Sequence, residues 1–127
     1  MSSPPVPLPQ ASSDAAEIEA IVRDYIEGWY AGNVDRMNRA LHADLVKRNH
    51  QSEDPDSLRE VTKARMLELT ADGGGGASGP ETEIEIDDVS THIAAARVLS
   101  PEYLDYLHLA KTSAGWKIAN VLFRNRS

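Results

Sequence analysis

Four residues of this chain have the types and neighbours for proton-transfer chemistry: Asp105, His108, His42 and Tyr25. Two of them fall in the stretch 103–124, YLDYLHLAKTSAGWKIANVLFR. A carboxylate held among apolar groups has its pKa raised and can serve as base or hydrogen-bond donor. An imidazole titrates near neutrality. On a regular strand, positions three apart point to opposite faces, so Asp105 and His108 do not line one pocket together. Asp105 shares its face with Tyr103, Leu107 and Leu109, and His108 with Leu104, Tyr106 and Ala110. One of the two is a pocket group and the other an interface or structural group. The plainer alternative for Asp105 is an ion pair with Arg97 or Arg124. The plainer one for His42 is a position at the end of the second helix, where imidazolium complements the dipole.

Ligand-contact candidates form a second set: Tyr25, Trp29, Arg48, Tyr106 and Asn120. Tyr25, Trp29 and Tyr106 could wall an apolar cavity on which a planar molecule stacks, or simply fill a core. Arg48 belongs to a locally basic segment with Arg36, Arg39, Lys47, Arg59, Lys63 and Arg65. That segment could attract an anion, or could be solvated helix surface. Asn120 sits mid-strand between Ile118 and Leu122, so it needs a cross-strand or ligand partner. Metal ligation is not expected, because the four histidines show neither His-x-His nor His-x-x-x-His spacing. No Gly-x-Ser-x-Gly elbow occurs. No cofactor is implied.

Helices followed by strands must position these groups. Residues 1–13 are rich in proline and serine and read as a disordered arm. From Asp14, apolar residues recur every three or four positions (Ile18, Ile21, Val22, Tyr25, Ile26, Trp29), which predicts an amphipathic helix. Asp14 with Glu17 reads as a capping box, and Gly32 suits the position past the end. Asn33 caps a short second helix ending at His42, and 43–50 is extended. Ser57 with Glu60 reads as the cap of a third helix reaching about residue 71. The segment 73–79, GGGGASG, is a flexible connector. After it the apolar period becomes two, and strands are expected at 82–87, 93–99, 103–111 and 116–123. The turn 112–115 joins the last two. Helices then an antiparallel sheet predict an α+β fold in a single domain, 14–127.

Composition narrows the functional classes. The net charge of −7 argues against nucleic acid and against an anionic membrane surface as partners. The chain has no cysteine, which excludes disulfides and thiolate chemistry and fits a reducing cytoplasm. No apolar run approaches a membrane span.

The stretches YIEGWYAGNVDRMNRALHADLVKR (25–48) and YLDYLHLAKTSAGWKIANVLF (103–123) resemble the nuclear-transport-factor-2-like superfamily. More narrowly, they resemble its branch labelled putative lumazine-binding. Ala43 stands where that branch usually has proline after the histidine of the ALH motif. The resemblance implies helices packed on a curved, mostly antiparallel sheet in a cone, and a homodimer formed through the sheet face. Relatives on this fold include ketosteroid isomerase, scytalone dehydratase and polyketide cyclases, together with binding and assembly domains. Three functions follow as expectations. One is a small dimeric module binding an apolar or aromatic molecule between the first helix and the sheet. Another is a cofactor-free isomerase, dehydratase or cyclase using Asp, His and Tyr. The third is a non-catalytic dimerisation or partner-binding domain.

Overall fold

The computed structural model describes residues 9–74 and 81–126. The first eight residues of the expected arm, and the connector from residue 75, lie outside the described residues. The element order is α1 (Pro9–Ala31), α2 (Val34–Ala40), β1 (Leu41–His50), β2 (Leu58–Val61), α3 (Lys63–Ala71), β3 (Glu83–Val89), β4 (Ile93–Leu99), β5 (Tyr103–Thr112) and β6 (Gly115–Asn125). The strands form one sheet in the order β2-β1-β6-β5-β4-β3. All neighbours are antiparallel except β1 and β6, which run parallel. The three helices pack on one face. The α+β expectation holds.

The α1 stripe does what its spacing demands. Ile18, Ile21, Val22, Tyr25 and Ile26 are buried, and they meet Leu107, Leu109, Trp116 and Ile118 of the sheet in a single core. Past its end Gly32 adopts φ +67, and the Asn33 N–H bonds to the Gly28 carbonyl. Asp14 does not cap the helix, which begins five residues earlier. Its Oδ1 instead accepts the Trp116 indole N–H at 3.0 Å and Lys111 Nζ at 2.9 Å. Glu17 accepts the Trp116 backbone N–H at 2.8 Å. The helix is thus tied to the hairpin by polar contacts around a fully buried tryptophan.

Two local expectations give way to tertiary pairing. Residues 58–61 form β2 rather than a first helical turn, because Leu58 to Val61 pair with His50 to Lys47 on β1. The third helix starts at Lys63, capped by the Thr62 hydroxyl accepting the Arg65 N–H. His42 is not the end of α2 but the second residue of β1, where its Nδ1 accepts the Asp44 N–H at 2.9 Å.

The register of β6 decides which face each residue meets. Leu109 pairs with Ile118 and His108 with Asn120, so Ala119 is an extra, unpaired residue. This bulge reverses the alternation. Trp116 and Ile118 are buried before it, and Val121 is buried after it. Asn120 and Leu122 consequently emerge on the outer face. Asn120 was expected in the core with Ile118, and the bulge is why it is exposed.

Deleting Ala119 would remove the bulge and leave β6 in regular alternation, with Trp116, Ile118, Val121 and Phe123 still on one face and Asn120 and Leu122 on the other. The expected outcome is a protein that keeps a cooperative thermal transition by circular dichroism; loss of that transition would contradict the reading of Ala119 as the extra residue.

Candidate functional site

Alternation along β1 turns Lys47 inward while Val46 and Arg48 point out. Lys47 pairs with Val121 of β6, and Asp105 on β5 pairs with Phe123, so the two charged residues lie on strands flanking β6. Tyr25 comes down from α1 between them. Its hydroxyl donates to Asp105 Oδ2 at 2.6 Å and accepts from Lys47 Nζ at 2.6 Å. All three are nearly inaccessible: Tyr25 is 3%, Lys47 5% and Asp105 2% exposed. The ammonium also lies 4.8 Å from the Tyr25 ring centre and 4.6 Å from that of Phe123, a cation held against two aromatic faces.

Burial governs the protonation of this trio. It pushes the Asp105 carboxyl up, against the opposing pull of Lys47 and the Tyr25 hydrogen bond. It lowers Lys47 from 10.5 to about 8, with Asp105 opposing. Burial, and then the charge of Asp105, raise Tyr25 well above its ordinary value, so it keeps its proton and donates it. Both charged groups are therefore displaced toward their neutral forms, the signature of desolvation in an apolar surrounding.

The trio floors a cavity of about 460 Å³ between α1, α3 and the β2-β1-β6-β5 part of the sheet. Ile26, Met66, Leu69 and Val61 supply aliphatic wall. Trp29, Tyr103 and Phe123 supply an aromatic one in successive edge-to-face contacts, with centroids 6.4 and 5.7 Å apart. Arg59, Glu60, Arg65, Gln51 and Asn125 also line it. Two polar atoms of the lining residues, Trp29 Nε1 and Asn49 Oδ1, are buried with no hydrogen-bond partner among the described residues. The arrangement can offer a hydrogen-bond donor or cation to an oxygen of a bound molecule, an acid–base pair, and flat apolar surface. Among the described residues no three His, Asp or Glu side chains converge as a metal site.

Of the candidates read from sequence, Tyr25, Asp105 and Trp29 are brought together. The face assignment of Asp105 and His108 was right: Asp105 points inward and His108 lies exposed on the outer face. The suggested Asp105 ion pairs do not form; Arg97 pairs with Glu85 at 2.8 Å and Arg124 donates to the Asn125 carbonyl. Tyr106 is 52% exposed beside His108, and so is no cavity wall. Arg48 and Asn120 are likewise on the outer face. His42 lines a separate cleft with Arg39, Lys63 and Lys117. The residue that sequence reasoning passed over is Lys47, noted only as part of a basic cluster. Its signal was the pairing of Leu45, Lys47 and Asn49 on one strand face, but Val46 on the other face made the opposite phase equally plausible.

Comparison with known proteins agrees with this architecture. A family described as "Putative lumazine-binding" matches residues 13–124. An NTF2-like protein of unknown function from Silicibacter pomeroyi superposes with a TM-score of 0.78 at 18% identity, covering 91% of this chain and 98% of its own. Another from Shewanella baltica gives 0.74 at 16% identity, covering 91% and 96%. A ketosteroid isomerase-like protein from Erwinia carotovora atroseptica gives 0.64 at 18% identity, covering 88% and 95%. The curated proteins give no match. At these identities the structures speak for the fold alone. No described helix is long and apolar enough to cross a membrane.

The pKa directions imply that the trio weakens the fold at neutral pH. Lys47 holds its proton less tightly folded than unfolded, so stability should rise as pH climbs from about 8 toward 10.5. Asp105 holds its proton more tightly folded, so its ionisation above 3.8 subtracts stability. Removing one charge strands the other: Lys47→Met alone should cost about 3–5 kcal/mol by denaturant titration. Lys47→Met with Asp105→Leu should regain most of that loss, and a double variant as unstable as the single would contradict this account.

Proposed function

Because the chain belongs to the putative lumazine-binding family of the nuclear-transport-factor-2-like superfamily, we propose that its cavity binds a planar, ring-shaped small molecule carrying an oxygen acceptor. The observation that carries this reading is the buried Lys47–Tyr25–Asp105 relay at the floor of an aromatic-walled cavity. Such charges lower stability, and an apolar cleft with a few convergent polar groups is the usual form of a ligand site. The volume suits a molecule of two or three fused rings. The ring would lie along Trp29, Tyr103 and Phe123, with a carbonyl or phenolate oxygen toward Lys47. A ring acceptor and a ring N–H would answer the unpartnered Trp29 Nε1 and Asn49 Oδ1. Lumazine, a bicycle with two carbonyls and ring N–H groups, has this pattern.

Binding is favoured over the acid–base enzyme that uses imidazole, because neither His42 nor His108 lines the cavity. Any proton transfer there falls to Asp105, Tyr25 and Lys47. The cysteine-free composition suits a reducing cytoplasmic setting.

We further propose that two copies associate through the outer sheet face. Val46, Leu122 and Tyr106 emerge there on neighbouring strands, with Ile93 at 64% exposure. Leu122 and Tyr106 are direct cross-strand partners, and exposed apolar side chains set side by side are what an interaction site presents. Sedimentation at micromolar concentration should show a dimer, and Tyr106→Glu with Leu122→Glu should give a folded monomer. A wild-type monomer would overturn this part of the proposal.

Trp29 reports on the cavity and Trp116 does not, since the latter is wholly inside the core. Titration with lumazine or 2-naphthol should quench tryptophan emission saturably, and Trp29→Phe should abolish the quench. Tyr25→Phe should weaken binding by roughly tenfold or less, the worth of one hydrogen bond. No saturable quench at millimolar ligand would contradict the binding reading.

A further inference from the structure

We propose that Lys47 captures aldehydes or ketones covalently, as an imine formed at the floor of the cavity. The inference rests on the cavity being a ligand site and adds a bond to it. The protein has lysines at 47, 63, 111 and 117. Lys63 is tied to the Leu41 carbonyl, Lys111 to Asp14 and Lys117 to the Arg39 carbonyl. None of these three lines the cavity, whereas Lys47 does. Among the described residues its hydrogen-bond partner is the Tyr25 hydroxyl.

The relay offers a route to the nucleophile. One proton moves from Lys47 Nζ to the Tyr25 oxygen while Tyr25 passes its own to Asp105 Oδ2. The ammonium and carboxylate become an amine and a carboxylic acid, and burial favours both neutral forms. The amine nitrogen then attacks the carbonyl carbon. The C–N bond forms, the C=O pair moves to oxygen, and the nitrogen loses a proton as the oxygen gains one. Asp105 returns its proton through Tyr25 to the carbinolamine hydroxyl, which leaves as water. The nitrogen lone pair closes the C=N bond, and the resulting iminium stands opposite the regenerated Asp105 carboxylate. Amine and carbonyl give imine and water, and no electrons are exchanged with a third party. The aromatic wall holds the ring of the carbonyl compound, and the low water access disfavours hydrolysis. A lysine used this way is activated by burial in apolar surroundings.

The titration of Lys47 is set by its burial, with the charge of Asp105 opposing. Tyr25 from α1 and the uncharged Phe123 from β6 meet the ammonium, and the other titratable groups lining the same cavity are Asp105 and Tyr103 from β5, Arg59 and Glu60 from β2, and Arg65 from α3. With the amine displaced to about 8, its neutral fraction should rise about tenfold per pH unit up to that value and level off above it.

The test uses the wild-type protein with 2-naphthaldehyde and sodium cyanoborohydride, which reduces an imine to a stable secondary amine. Peptide mass mapping then locates the adduct without any variant. The expected result is labelling at Lys47 that exceeds each other lysine by more than roughly tenfold near neutral pH, since Lys47 lines the cavity that holds the aldehyde and the other three do not. Lys47→Arg, which keeps the charge but not the nucleophile, should lose the adduct. Parallel titration with 2-naphthol, which has the ring but no electrophilic carbon, separates the two claims. Naphthol binding without a Lys47 adduct overturns the imine and leaves the ligand site standing. Labelling spread evenly over the lysines also overturns the imine. Failure of both probes to bind removes the imine together with the site on which it rests.

Discussion

Desolvation of two opposite charges around one tyrosine hydroxyl is the constraint on which this molecule turns. Lys47, Tyr25 and Asp105 come from β1, α1 and β5, three elements far apart in the chain. A buried carboxylate and a buried ammonium are each costly, and their mutual attraction seldom recovers the whole cost. The cost is bearable here because Tyr25 satisfies both at 2.6 Å and because Phe123 offers a further face to the cation. An apolar trio of similar volume would pack without that penalty. Charges kept at the floor of a cavity, rather than in a packed core, therefore argue for a molecule that meets them there.

The rest of the fold holds this trio in place. Trp116 is anchored through its indole to Asp14 and through its backbone to Glu17, which fixes α1 against the β5–β6 hairpin. At the hairpin tip Thr112 accepts the Ala114 N–H and donates to the Gly115 carbonyl, with Gly115 at φ +100. From there the bulge at Ala119 lets β6 bury Trp116 and Ile118 at one end and present Phe123 to the cavity at the other. An unbroken β6 could not do both, because the side-chain period of a strand is two.

Much of this was legible in the residues. The spacing of Ile18, Ile21, Val22, Tyr25 and Ile26 specified α1 and its buried face, and period two specified β3 to β6. The parity of Asp105 and His108 sorted them to opposite faces correctly. What was hidden depends on partners distant in sequence. Residues 58–61 carry a helix-start pattern, but pairing with β1 outweighs it. Asn120 reads as a core residue until Ala119 is known to be unpaired, and a bulge leaves no mark when it falls on alanine. Lys47 was obscure for a related reason: an isolated strand with apolar residues on both faces does not reveal which face is covered. Asp14 and Glu17 read as a helix cap because nothing local indicates that Trp116 will be their partner.

The claim at the centre of this account is that Lys47 sits desolvated beside a neutral Tyr25 and a buried Asp105. The most direct measurement is an NMR titration of the lysine side chains, with Lys47 assigned by comparison with Lys47→Arg. The account predicts a midpoint near 8 for Lys47. A midpoint near the ordinary 10.5 would mean that the amine is solvated, and would contradict both the geometry of the relay and the reading built on it.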